Sequence, residues 1–181
     1  MRHTFVALVE DKPGVLNRVV SVFRRRTFNI ESLTVGRTHQ PGISRITIVV
    51  DSDQTDVERI MPYMYKLINV VQVENLTYAP RVSRDLAMVK VNATPENRSA
   101  VMQLAEVFRA RIVDVANDSL IIEITGDEEK IDGFVDVLRP YGIIEMVRTG
   151  IIAMERGTST LLNTLADNHS FELPIEYKMV S

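Results

Sequence analysis

His3-Thr4-Phe5-Val6-Ala7-Leu8-Val9-Glu10-Asp11-Lys12-Pro13-Gly14-Val15-Leu16-Asn17-Arg18-Val19-Val20-Ser21-Val22-Phe23 changes its period in the middle. From His3 to Val9 the run is apolar and β-prone, as a buried strand requires. After Pro13-Gly14, the residues Val15, Leu16, Val19, Val20, Val22 and Phe23 recur at helical spacing, with Asn17, Arg18, Ser21, Arg24 and Arg25 on the other face. A strand that turns directly into an amphipathic helix needs an apolar support for that helix, and a sheet is the economical one. Arg24-Arg25-Arg26 reads as the polar end of the helix, where cations are favoured by the macrodipole.

Downstream, a strand is expected from about Ile30 to Arg37. The turn residues His39-Gln40-Pro41-Gly42 then reverse the chain into Ile43–Val50, making a β-hairpin. Thr55-Asp56-Val57-Glu58 has the spacing of a capping box, and Val57, Ile60, Met61 and Met64 continue an apolar helix face in which Pro62 is out of place. A strand over Val70–Thr77 completes the order strand, helix, strand, strand, helix, strand.

The second half repeats that order. Leu86–Val91 reads as a strand, Thr94-Pro95 as a helix cap and first helical residue, and Val101, Leu104, Ala105 and Phe108 as a buried helix face. Ile112–Val115 and Leu120–Thr125 form a hairpin around Asn117-Asp118, residue types that tolerate positive φ. A helix over Asp127–Leu138 buries Ile131, Phe134, Val135 and Leu138, and Pro140 with Gly142 ends it before a strand at Ile143–Val147. The chain is therefore expected to be α+β, built as two ferredoxin-like βαββαβ units. The boundaries are 1–78 for the first unit, 79–83 for a linker, 84–156 for the second unit, and 157–181 for a polar tail carrying at most a short helix at Leu161–Ala166. Units of about 75 residues are small for independent stability. The second strand, an edge in this topology and apolar at Ile30, Leu33 and Val35, invites pairing with another copy.

The chain has 45% hydrophobic and 25% charged residues with a net charge of −3, divided as +2 over residues 1–80 and −5 over residues 81–181. This balance speaks against nucleic-acid binding. No apolar run reaches the ~20 residues that span a bilayer, and the early acidic residues argue against a signal peptide, so a cytoplasmic protein is expected. The sequence has no cysteine, which removes disulfides, thiol nucleophiles and Cys-ligated metals. His3, His39 and His169 are scattered, and no phosphate-loop, dinucleotide or nucleophile-elbow motif occurs. No catalytic residue and no metal ligand is assigned. Asp127-Glu128-Glu129 offers oxygens to a cation, but acidic residues in a first helical turn are explained by the helix dipole.

Glu10-Asp11-Lys12-Pro13-Gly14-Val15-Leu16 remains. Unpaired amides at a helix start hold a carboxylate, Gly14 lets a ligand approach the backbone, and Pro13 fixes the approach. Asp11 or Asn29 would meet an ammonium group, and Val15, Leu16 and Ile30 would surround an apolar side chain. The same residues also make a plain strand-to-helix corner, and spacing alone does not choose between the two.

Asp11-Lys12-Pro13-Gly14-Val15-Leu16 resembles the ligand loop of ACT domains, the amino-acid-sensing modules. Phe28-Asn29-Ile30-Glu31-Ser32-Leu33-Thr34-Val35 is similar to a segment of one family of them, the regulatory small subunits of acetohydroxyacid (acetolactate) synthase. Ser44-Arg45-Ile46-Thr47-Ile48, Leu67-Ile68-Asn69-Val70, Arg84-Asp85-Leu86-Ala87-Met88-Val89-Lys90-Val91, Phe108–Val115 and Arg148-Thr149-Gly150 extend the likeness over about residues 1–156. The resemblance implies an N-terminal ACT domain and a homodimer joined through ACT sheets. It also implies valine as effector at Asp11, Pro13, Gly14, Val15 and Leu16, with Asn29 and Ile30 from the second copy. The implied role is to activate a catalytic large subunit and confer feedback inhibition in branched-chain amino acid biosynthesis. Thiamine diphosphate, Mg2+ and FAD are then expected in that partner and no cofactor in this chain. The competing readings are another ACT-type amino-acid-responsive regulator, a pair of RNA-binding ferredoxin-like folds, for which aromatic residues are few, and a self-contained enzyme.

Overall fold

The computed structural model describes residues 1–52 and 59–158 and divides into two compact units, Met1–Val82 with the described residues from Ala153 on, and Ser83–Ile152. Both are α+β. The first runs β1 (Arg2–Glu10), α1 (Val15–Arg25), β2 (Asn29–Arg37), β3 (Ile43–Asp51), α2 (Ile60–Met64) and β4 (Val70–Asn75), with an antiparallel sheet in the order β2-β3-β1-β4. Phe5, Ala7 and Val9 of β1 pack under the helices with Val15, Val19 and Phe23 of α1 and Ile46, Ile48 and Val50 of β3. Val6 and Leu8 point to the opposite face, where they cluster with Ile43, Leu76 and Ala153. Burial on both faces is why β1 reads as a continuous apolar run instead of an alternating one.

The helix α1 buries the narrow stripe Val15, Val19 and Phe23, spaced by four residues. Leu16, expected on that face, lies about 100° further round and is 41% exposed. Arg24 and Arg25 occupy the last turn as expected, and the Arg26 guanidinium stacks 3.9 Å above the Tyr63 ring. Pro62 is the third residue of α2, in the first turn, where a missing amide costs no helical hydrogen bond. The capping box expected at Thr55–Glu58 lies outside the described residues, as do the helix expected at Leu161–Ala166 and His169.

The second unit contains β5 (Arg81–Asn92), α3 (Arg98–Val107), β6 (Arg111–Val115), β7 (Ser119–Gly126), α4 (Glu128–Leu138) with a 3-10 turn over Arg139–Tyr141, and β8 (Ile143–Arg148); its sheet runs β6-β7-β5-β8. The expected face of α4 is buried at all four positions. Asp127 caps that helix, accepting the Lys130 amide at 3.0 Å, with Glu128 and Glu129 in the first turn. The acidic group thus serves the helix start.

Four local expectations need correction. Strand β5 begins at Arg81, inside the stretch read as linker, because a short strand β9 (Ile152–Glu155) pairs with it. That strand was not foreseen: of its four residues only Ala153 is buried, against Val6 and Leu8, and one apolar contact gives no period to read. Helix α3 begins at Arg98, not Pro95. Thr94 O accepts the amides of Asn97 and Arg98 at 3.1 and 2.9 Å, closing a separate turn first. Finally, Asn117-Asp118 reverse the chain without positive φ, which among the described non-glycine residues is confined to Thr27 and Arg109.

Candidate functional site

The corner after β1 is built by four main-chain hydrogen bonds. The Glu10 amide donates to Asn69 O at 2.9 Å, Asp11 to Gly42 O at 2.8 Å, Lys12 to Glu10 O at 2.9 Å, and Val15 to Lys12 O at 3.3 Å. Gly14 then caps α1 in the left-handed region at φ 82°, with no side-chain cap bond. This is a position that favours glycine: other residues are strained there, although the space a Cβ would enter holds no atom within 4 Å. The first helical bond is Arg18 N–H to Gly14 O at 3.1 Å, so Leu16 and Asn17, at the second and third helical positions, have amides that no helix carbonyl answers. Together with the dipole they form a neutral anion cradle.

A polar bracket holds the corner in place. Arg18 Nη1 donates to Asn69 Oδ1, Asn69 Nδ2 donates to Glu10 Oε2, and Lys12 Nζ lies 3.1 Å from Glu10 Oε2. Asn69 is 6% exposed, so its amide bridges Arg18 and Glu10 at low dielectric. The Asn69 hydrogen bond, reinforced by Lys12, holds the Glu10 carboxyl below its ordinary range despite the opposing effect of burial. Sequence reasoning had assigned no role to Glu10 or Asn69 and had left Arg18 on the solvent face.

Beside the corner, under the β2–β3 hairpin, is a cavity of about 290 Å³ lined by Asp11, Arg37, Thr38, Gln40, Pro41, Gly42 and Ile43. It falls near the lower end of the ~300–1,000 Å³ usual for small-molecule sites. Arg37 Nε lies 3.6 Å from Asp11 Oδ2, and both side chains are solvent-accessible, so the pair is easily separated. Arg37, the last residue of β2, and Gln40, in the loop after it, were also missed, because neither position carries a periodic signal.

The expected site residues do not all converge. Asp11, Pro13 and Gly14 are exposed at the corner, and Leu16 stands next to them. Val15 is buried in the core, its amide taken by Lys12 O, so its side chain does not line an open pocket as expected. Asn29 pairs with Asp51, which pairs with Arg2, whereas Glu10 pairs with Ile43. Asn29 and Ile30 are thus at the opposite end of the sheet, roughly 25 Å from the Glu10 end at ~3.3 Å per residue. One chain alone does not bring them to Gly14.

Comparison with known proteins matches residues 5–72 to the family model described as the AHAS small subunit-like ACT domain, and residues 84–157 to that described as the small subunit of acetolactate synthase. The chain is 52% identical to a probable acetolactate synthase small subunit of Archaeoglobus fulgidus, over 87% of this chain and 98% of that protein. It is 51% identical to the corresponding protein of Methanothermobacter thermautotrophicus, over 88% and 95%. The crystal structure of the acetolactate synthase small subunit from Thermotoga maritima superposes with a TM-score of 0.80 at 41% identity, covering 88% of this chain and 99% of that one. Among the described residues, no helix is long and apolar enough to cross a membrane.

Proposed function

Because the chain belongs to the acetolactate synthase small-subunit family, whose members imply a catalytic large subunit as partner, we propose that it is a cytoplasmic regulatory subunit that binds valine at the Asp11–Leu16 corner. In this role it activates the catalytic subunit and transmits feedback inhibition in branched-chain amino acid biosynthesis. Thiamine diphosphate, Mg2+ and FAD belong to the partner in this reading.

The observation that carries it is Gly14: a left-handed glycine at an uncapped helix start, with open space where a Cβ would be. A free amino acid's carboxylate sits against the Leu16 and Asn17 amides. Its ammonium group meets Asp11. The ligand's isopropyl group packs against Leu16 and, from a second copy, Ile30.

The register supports a second copy in this reading. The strand β2 is a nine-residue edge with Val35 45% exposed, and an edge of this length favours pairing with another strand. Antiparallel pairing of two β2 strands about a twofold axis at Leu33 sets Asn29 of one copy opposite Arg37 of the other. Arg37 is the residue already beside Asp11. The opposite-end placement of Asn29 and Gly14 in one chain thereby becomes proximity across two, and the effector is held by both.

Valine then stabilises one arrangement of the ACT dimer, and inhibition requires that the holoenzyme's two activity states differ in affinity for it. Calorimetry of the full chain with valine, leucine and isoleucine, followed by an assay with the thiamine-dependent catalytic subunit, tests the reading. Valine binding and raised, valine-sensitive activity are expected; no binding and no activation would sink it.

A further inference from the structure

Gln40 lines the cavity under the β2–β3 hairpin, and its main chain is fully committed. Its amide donates to Thr38 Oγ1 at 3.1 Å, while its carbonyl accepts from Thr38 Oγ1 at 3.1 Å and from the Ile43 amide at 3.2 Å. Thr38 Oγ1 also donates to Ile43 O at 3.0 Å, so one hydroxyl fixes the hairpin's shape and Gln40 is held in advance of any ligand. Its side-chain Oε1, by contrast, is buried with no hydrogen-bond partner among the described residues. A buried acceptor left unanswered disfavours the folded state, so each such atom calls for a donor from outside.

The cavity's other polar groups indicate which donor. It is lined by the Asp11 carboxylate and the Arg37 guanidinium, one charge of each sign, in a loose and accessible pair. A free α-amino acid also carries one charge of each sign on adjacent atoms. Its ammonium has three N–H donors, and a single carboxylate such as Asp11 does not satisfy them all. An uncharged amide oxygen in the wall of that cavity, turned into it as the ligand enters, adds an acceptor without repelling the ligand's own carboxylate, as a second acidic side chain would.

We propose that Gln40 is an ammonium-binding residue of the effector pocket, with Oε1 and the Asp11 carboxylate together receiving the amino group, while the ligand's carboxylate stays on the Leu16 and Asn17 amides and draws Arg37 away from Asp11. The proposal rests on the amino-acid reading of this corner and extends it to the hairpin. Gln40 selects for the amino group, and the apolar residues select for the side chain.

The test is calorimetric titration of the full-length chain with L-valine and with 3-methylbutanoate, which keeps valine's side chain and carboxylate and lacks its amine. Gln40→Met preserves volume and removes the acceptor; Gln40→Leu is the second variant should the first fail to fold, and Gln40→Glu keeps an acceptor but adds a negative charge. Removing the acceptor is expected to weaken L-valine binding about tenfold, the size of one charge-assisted hydrogen bond, and to leave 3-methylbutanoate binding, read by competition, unchanged. Gln40→Glu weakens binding of both ligands, because its charge opposes the carboxylate they share. The ligand-free melting temperature does not fall in Gln40→Met, since an unanswered buried atom has been removed. L-valine affinity within twofold of wild type in the Met and Leu variants overturns the proposal and assigns the cavity to water. A wild-type chain that binds no branched-chain amino acid overturns the effector reading itself, a different and separately visible result.

Discussion

In the N-terminal unit the amide following β1, that of Asp11, is held by Gly42 O at 2.8 Å; in the C-terminal unit its counterpart after β5, Ala93, is held by Asp118 O at the same distance. One residue earlier, Glu10 N–H donates to Asn69 O at 2.9 Å and Asn92 N–H to Gly142 O at 3.0 Å. The two corners thus use the same main-chain scheme, and they diverge at the helix start. The first is capped by Gly14 with open space above it and has a five-residue hairpin that roofs a cavity. In the second the cap is Asn97, the hairpin has three residues, and the Arg98 side chain donates to Ala93 O, Ala116 O and Asn117 O. An arginine occupies the position that the N-terminal unit leaves open. The edge strands diverge likewise: both are bulged, at Glu31 and at Val113, but β2 has nine residues and β6 five. One unit has an uncapped corner and a long edge, while its counterpart is closed at the corner and has a short edge.

Closing the open corner should have the largest effect. Gly14→Asp is expected to abolish valine inhibition of the reconstituted enzyme while activation persists, because a carboxylate placed at the anion cradle repels the ligand's own. Like-charge opposition of several kcal/mol corresponds to a loss of affinity of about a hundredfold or more. The fold should survive, since the new Cβ meets no atom within 4 Å and aspartate tolerates the left-handed region better than most residues, at a strain of about 1 kcal/mol. Undiminished inhibition would refute the assigned corner.

Opening the closed corner tests the same comparison from the other side, with a smaller expected effect. Arg98→Ala removes the donor from three carbonyls, and a loss of about 2 kcal/mol in urea unfolding is expected from charge-assisted bonds of this kind. Valine affinity should not change, because the site is in the other unit. A variant as stable as wild type would show that water replaces the arginine freely and that the seal is incidental.

The periodic parts of this division were legible in the sequence. The switch of period at Pro13-Gly14 gave β1 and α1, and Ile131, Phe134, Val135 and Leu138 gave the buried face of α4, since burial on one side of a regular element leaves a repeat. What was not legible depends on pairs distant in sequence. Asn69 bridges Glu10 and Arg18 across more than fifty residues, and Arg98 reaches carbonyls on a later hairpin; neither contact produces a local pattern. Thr94-Pro95 carries the residues of a helix start, yet the helix begins only at Arg98, whose guanidinium is drawn to the carbonyls of that corner. Asn29 and Ile30 were placed beside Gly14 from a second copy on the strength of the resemblance, and it is the strand register that shows them at opposite ends of one sheet within a single chain.

The smallest expected effect concerns how the open corner keeps its shape without a plug. In the C-terminal unit a cation on carbonyls seals the corner. In the N-terminal unit the bracket depends on the ionised Glu10 carboxylate, accepting from Asn69 and paired with Lys12. Its folded-state pKa lies below its ordinary value of 4.5, so its contribution is present above that pH and is lost as pH falls through the folded-state value. Glu10→Gln keeps an oxygen for Asn69 and loses the charge, for an expected cost of about 1 kcal/mol at pH 7. Urea midpoints of wild type and variant should then converge as the buffer is taken below pH 4.5. A gap that stays constant across that range would show that the carboxylate's charge contributes nothing and that geometry alone holds the corner. The valine affinity of the same variant separates bracket from pocket: loss of affinity without loss of stability would move Glu10 from the support of the site into the site itself.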